Sequence, residues 1–185
     1  MTPHGPLGGP YQAWADYLEH WSTARPVDGI DLPALARTDF PADTWQRLME
    51  RIQRALDLVL QSWADAMVTA MNAADDEFAA GRALAQARTG LHRIQALAAH
   101  PRLPADLRGR LTDTVAEAIR DLQQELERGL ARRAARGDDP QQIENRRRTL
   151  RDNPLTAVLA APPPADTGGW AYDPLNAPRR RVLPG

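Results

Sequence analysis

The sequence contains no cysteine, which excludes disulfides, thiolate metal sites and cysteine nucleophiles. Lysine is also missing, and all 23 basic residues are arginine. A phosphate-binding loop would have no lysine to complete it, and no glycine-rich phosphate loop is present. The arginine bias fits a GC-rich coding sequence better than a function. No run approaches the roughly twenty apolar residues of a membrane-spanning helix. The opening "MTPHGPLGGP" has neither the basic nor the apolar region of a secretory signal, so the expected location is cytoplasmic.

Serine is nearly absent. Ser22 adjoins a loop and Ser62 falls within an amphipathic stretch, and neither stands where a catalytic nucleophile would. The four histidines, His4, His20, His92 and His100, show none of the spacings of zinc or di-iron ligand sets. The carboxylates Asp75–Asp76 and Glu125 with Glu127 lie in charge-rich helical stretches. Capping and solvation suit them better than acid–base work. The expectation is a protein that is not an enzyme and carries no cofactor and no metal.

Sixteen prolines and twelve glycines gather toward the two ends. No proline falls between Ala42 and His100, or between Ala105 and Asp139. Both windows are rich in strong helix formers and poor in β-branched residues. The fold class is all-α, a long antiparallel helical hairpin or small helix bundle with disordered N-terminal and C-terminal segments. Residues 1–10 are read as disordered, 11–152 as the helical domain, and 153–185 as a proline-rich linker with a docking motif.

Within the helical domain the apolar periodicity marks each element. "YQAWADYLEHW" sets Tyr11, Trp14, Tyr17, Leu18 and Trp21 at helical spacing, a core stripe or an aromatic docking face. Residues 24–41 are a proline-punctuated connection with about one helical turn at "DLPALAR". The next helix opens near Pro41 with Asp39 as its possible cap. Its stripe is Trp45, Met49, Ile52, Leu56, Val59, Trp63, Met67 and Ala70, with Trp45 and Trp63 expected in the core. The phase runs on through Ala74, Phe78, Gly81, Leu84, Leu91 and Ala98. A break or bend is nevertheless expected at residues 72–76, with Asn72 ending one helix and Asp75 capping the next.

"HPRLP" at 100–104 is a stop and turn. From about Pro104 to Arg136 a further helix places Leu107, Leu111, Val115, Ile119, Leu122, Leu126 and Leu130 on one face, antiparallel to its predecessor. A short capped helix starts at Pro140, and "NPLTAVLAA" can add a turn or two from Asn153.

The net charge of −1 hides an asymmetry. Residues 11–77 hold twelve acids and five arginines, whereas residues 78–185 hold twelve acids and eighteen arginines. Head-to-tail self-association or an anionic partner at the basic end could follow. The stretch 128–151 alone has eight arginines against three acids. An Arg-dependent contact with RNA or DNA phosphate is one alternative, but without a nucleic-acid module or interleaved aromatics, and with a pI near 6.4, a solvated or protein-contacting face is favoured. A homo-oligomer is expected because a bare hairpin leaves apolar surface uncovered.

The most specific feature is the end of the chain. "APPPADTGG" is a linker by composition. It is followed by Trp170, Tyr172 and Leu175, then by Arg179, Arg180 and Arg181. Apolar anchors beside a charge cluster are the chemistry of a linear docking motif, so a protein partner is expected there.

Trp63, "DEFAAGRALAQAR" at 76–88, the turn at Leu103-Pro104 and the aromatic start at residues 11–21 resemble the accessory subunit of class III polyhydroxyalkanoate synthases and, more loosely, the phasins. The resemblance covers about half the chain and leaves the C-terminal segment without a counterpart. It implies a non-catalytic helical partner of a synthase, or a granule-surface protein.

Overall fold

A computed structural model describes residues 9–23, 25, 27, 31–74 and 76–160. The described residues are helical with no strand, as the composition requires. Helix α1 spans Pro10–Ser22, α2 Ala42–Ala73, α3 Glu77–Ala98, α4 Ala105–Ala135, α5 Pro140–Asp152 and the short α6 Ala157–Ala160. Short connections turn α3 back along α2, and α4 back along α3, so the three long helices run up, down and up. Helix α1 packs on α2, and α5 packs on both α3 and α4.

Helix α4 follows its sequence periodicity without exception. The seven residues from Leu107 to Leu130 form its buried stripe. The aromatic stripe of α1 is core as well, with Trp14, Tyr17, Leu18 and Trp21 buried and Tyr11 half-buried. An aromatic docking face on α1 is therefore ruled out. Residues 31–36 carry no regular secondary structure and only Arg37–Asp39 make a 3₁₀ turn. Leu32 and Leu35 nonetheless enter the core. The Leu35 N–H donates to the Arg102 carbonyl at 2.9 Å, tying this strap to the α3–α4 turn.

The stripe of α2 runs through Thr44, Leu48, Ile52, Leu56, Leu60, Trp63, Met67 and Met71. It thus lies one position away from several expected residues. Trp45, Met49, Val59 and Ala70 are half-buried flanks. Trp45 rests against Phe40 at 5.7 Å between ring centroids, with the Arg37 guanidinium 6.0 Å from its ring. Pro41 occupies the N-cap position, and no side chain caps this helix, Asp39 included.

The expected break is present, but its details differ. Helix α2 continues through Asn72 to Ala73, and Ala74 turns extended at φ −66°, ψ 119°. The cap of α3 is Asp76, whose carboxylate accepts the Ala79 N–H at 2.7 Å. Asp75 lies outside the described residues. The extended residues here rotate α3, so its buried face becomes Ala80, Ala83, Leu84, Ala87, Leu91, Ile94, Leu97 and Ala98. Phe78, on the extrapolated stripe, points outward and is 82% exposed. Ala74, Leu84, Leu91 and Ala98 of that stripe are buried, so the phase fails at Phe78 and Gly81 and holds beyond them.

At the end of α4, Gly137 takes φ 83°, a left-handed conformation that a side chain would strain. The Gly137 N–H donates to Ala134 and the Asp138 N–H to Arg133, so both last carbonyls are satisfied. The turn delivers α5, capped by Asp139 onto the Gln141 N–H, back onto the bundle. The helical unit continues past residue 152, because Leu155 is buried in the main core and its N–H donates to Gln123 Oε1 at 3.0 Å. Helices α1 and α5 cover apolar face that a bare hairpin would leave open.

Arg146 of α5 is buried at 5% exposure and donates from Nη2 to the Ala74 carbonyl at the α2–α3 break. That carbonyl ends α2 and has no helical partner. Arg146→Met should therefore destabilise the fold by about 1–3 kcal/mol, the cost of leaving a buried acceptor unpaired. Urea denaturation checks this, and an unchanged midpoint would show that the latch carries no weight.

Candidate interaction surfaces

Trp170, Tyr172, Leu175, Arg179, Arg180 and Arg181 lie outside the described residues. What the structure does place is the surface that such a motif, or a partner, would meet.

Inside, the polar handles of the large side chains go to backbone. Trp14 Nε1 donates to Pro33, Trp21 Nε1 to Arg93 and Trp63 Nε1 to Ala87. These bonds lock α1 to the strap and to α3, and α2 to α3. Among the described residues no three His, Asp or Glu side chains gather as a metal-holding group. No helix among them is long and apolar enough to cross a membrane.

The basic end is more neutralised than its sequence suggests. The Arg132 guanidinium, 2.5 Å from Glu125, holds that carboxyl below the usual carboxylate range, and Arg128 adds to the effect. Glu125 thus keeps its charge against these two arginines until pH falls through its lowered value. Arg133 pairs with Asp138 and Arg151 with Asp152, while Arg146 is buried. Among the described residues Arg136, Arg147 and Arg148 form no ion pair. Three scattered arginines are a poor match to a nucleic-acid backbone, which rewards a dense basic stripe. On α3, burial lowers the pKa of Arg93, with a smaller opposing effect from Tyr17. Its guanidinium stacks 5.6 Å from the Trp21 ring.

Two open grooves remain. One lies between α4 and α5, where Leu130, Leu150 and Pro154 meet Arg147 and Arg151. The larger, about 590 Å³, lies between α1 and α2. Tyr11, Leu18, Ala55 and Leu58 line it, with Arg47, Arg51 and Arg54 in a row on α2, and Glu19 and Glu50 beside them. Leu58 is 61% exposed. The three arginines form no ion pair among the described residues. Neither groove was visible in the sequence. The only trace of the larger one is a leucine among charged residues on the outer face of α2. Comparison with family models, with curated proteins and with solved structures finds no match.

Proposed function

We propose that this chain is a non-enzymatic helical adaptor or accessory subunit that acts through protein–protein contacts. Trp170, Tyr172, Leu175 and Arg179–Arg181 serve as its docking motif. The observation that carries this reading is the composition of the α1–α2 groove, in which leucines and a tyrosine adjoin three arginines that form no ion pair among the described residues. Aromatic and aliphatic anchors beside arginine are the chemistry of protein interfaces. A synthase accessory subunit, the role implied by the resemblance above, is one form of the same reading.

The test compares the full chain with one ending at Asp166, which retains every described residue. The shortened chain should keep its helical circular dichroism while losing the partner in affinity isolation. Partner capture that survives the truncation would show that the tail is not the docking element.

A further inference from the structure

Resting on the reading of the tail as a docking peptide, we propose that its resting receptor is the α1–α2 groove of the same chain. Trp170, Tyr172 and Leu175 seat against Leu18, Ala55 and Leu58. Asp173 meets the Arg47–Arg51–Arg54 row, and the three terminal arginines meet Glu19 and Glu50. The contact is autoinhibitory, because a partner must displace it to take the motif.

Three observations support this. First, the groove holds unsatisfied apolar surface. Leu58 and Phe78 are the large hydrophobic residues exposed among the described residues, and only Leu58 lines a groove. A solitary exposed side chain such as Phe78 is ordinary, whereas one at the edge of an apolar groove marks surface that can be covered.

Second, charges of both signs match. The groove offers arginines at 47, 51 and 54, one face of α2 spanning roughly 10 Å at 1.5 Å per residue, together with two glutamates. The tail carries Asp166 and Asp173 around its apolar anchors and its arginines only after them. An acidic rim alone would repel Asp173, and a basic rim alone would repel Arg179–Arg181. The mixed rim suits the order of charges in the tail.

Third, the chain can reach. Pro154 accepts from Arg88 of α3, and the neighbouring Ala87 accepts from Trp63 of α2. Helix α6, in which the described residues end at Ala160, packs on α3, the helix that Trp63 ties to α2. Leu58 lies five residues away along α2, about 7.5 Å, and adjacent helix axes are about 8–10 Å apart. The ten residues from Ala160 to Trp170 can span up to about 33 Å. That distance suffices without a second copy.

The absence of cysteine makes a clean test possible. The full chain carrying Ser22→Cys and Ala171→Cys is oxidised mildly and followed by non-reducing electrophoresis and peptide mass mapping. Thr112→Cys with Ala171→Cys, which places the first thiol on α4, is the control. Docking should close the Ser22 pair within one chain at least roughly tenfold faster than the control, as a raised effective concentration requires. Adding Leu58→Asp and Arg51→Glu, both at exposed positions, should erase the difference. Equal rates for the two pairs would overturn the proposal, as would a Ser22 disulfide that forms only between chains. A tail that proves necessary for partner capture but shows no preferred cross-link leaves the docking motif standing and removes the groove as its receptor.

Discussion

Trp63→Ala is expected to lower the free energy of unfolding by roughly 3–5 kcal/mol, as truncation of a buried aromatic does. Trp63 is 9% exposed, lies at the centre of α2 and faces the middle of α3. Its Nε1 donates to the Ala87 carbonyl at 2.8 Å. A Cβ built on Gly90 would stand 3.0 Å from its Cδ1, so the indole fills the space that this glycine leaves. The substitution removes packing on two helices at once, and the surrounding main chain is held by its own helical bonds and cannot collapse into the void. The hydrogen bond itself is the smaller part. Ala87 sits in the interior of α3, where its carbonyl also serves the helix ladder, so Trp63→Phe should cost clearly less than Trp63→Ala. Gly90→Ala approaches the same contact from the other side and should cost about 1–3 kcal/mol through overpacking. Thermal and urea denaturation measure all three. A Trp63→Ala protein that melts with the parent would show that the α2–α3 contact is not core.

How much of this was legible depends on whether one helix phase could be followed without interruption. In α4 nothing interrupts it, and every buried residue from Leu107 to Leu130 could be read in advance. In α1 the aromatics at 14, 17 and 21, with Leu18 among them, left one possible face. Across the α2–α3 break the same reasoning failed at Phe78. The rotation of α3 is set by the backbone angles around Ala74 and Asp76, and side-chain spacing does not encode those angles. Trp45 was misplaced for a different reason. A bulky residue need not lie at the centre of a stripe: Thr44 and Leu48 hold it, and the indole lies along the flank. Arg146 was hidden within "RRR", because helical spacing does not single it out. It stands three residues after Ile143 and four before Leu150, and Arg147 stands four after and three before, so spacing alone puts both equally near the apolar face of α5. The grooves could not have been read, because they arise where α1 meets α2 and α5 meets α4. The tail motif is the reverse case, since its residues are plain in the sequence and its surroundings are tertiary.

Trp14→Ala should also be severe, but its damage is expected to be local. Trp14 is fully buried, with its ring edge-on to Tyr17 at 5.7 Å and to His100 at 5.5 Å. Its Nε1 donates to Pro33 at 3.0 Å. This one side chain joins α1 to the 31–36 strap and to the α3–α4 turn, to which Leu35 already binds the strap. Truncation forfeits roughly 3–5 kcal/mol of packing and leaves the Pro33 carbonyl without the indole donor. Helix α1 has 13 residues, a length at which an isolated helix is marginal in water. Once its anchor weakens, the least costly response is for α1 and the strap to detach while α2, α3 and α4 stay packed. Hydrogen exchange should therefore show amide protection lost across α1 and residues 31–36 and retained along α4. Trp63→Ala should instead lower protection everywhere in proportion. Because Tyr11 and Leu18 form one wall of the groove, detaching α1 dismantles that groove without altering a residue in it. The Ser22–Ala171 cross-link should then disappear together with α1 protection. Parental exchange in α1 of the Trp14→Ala protein would mean that Tyr17, Leu18 and Trp21 hold the helix without it.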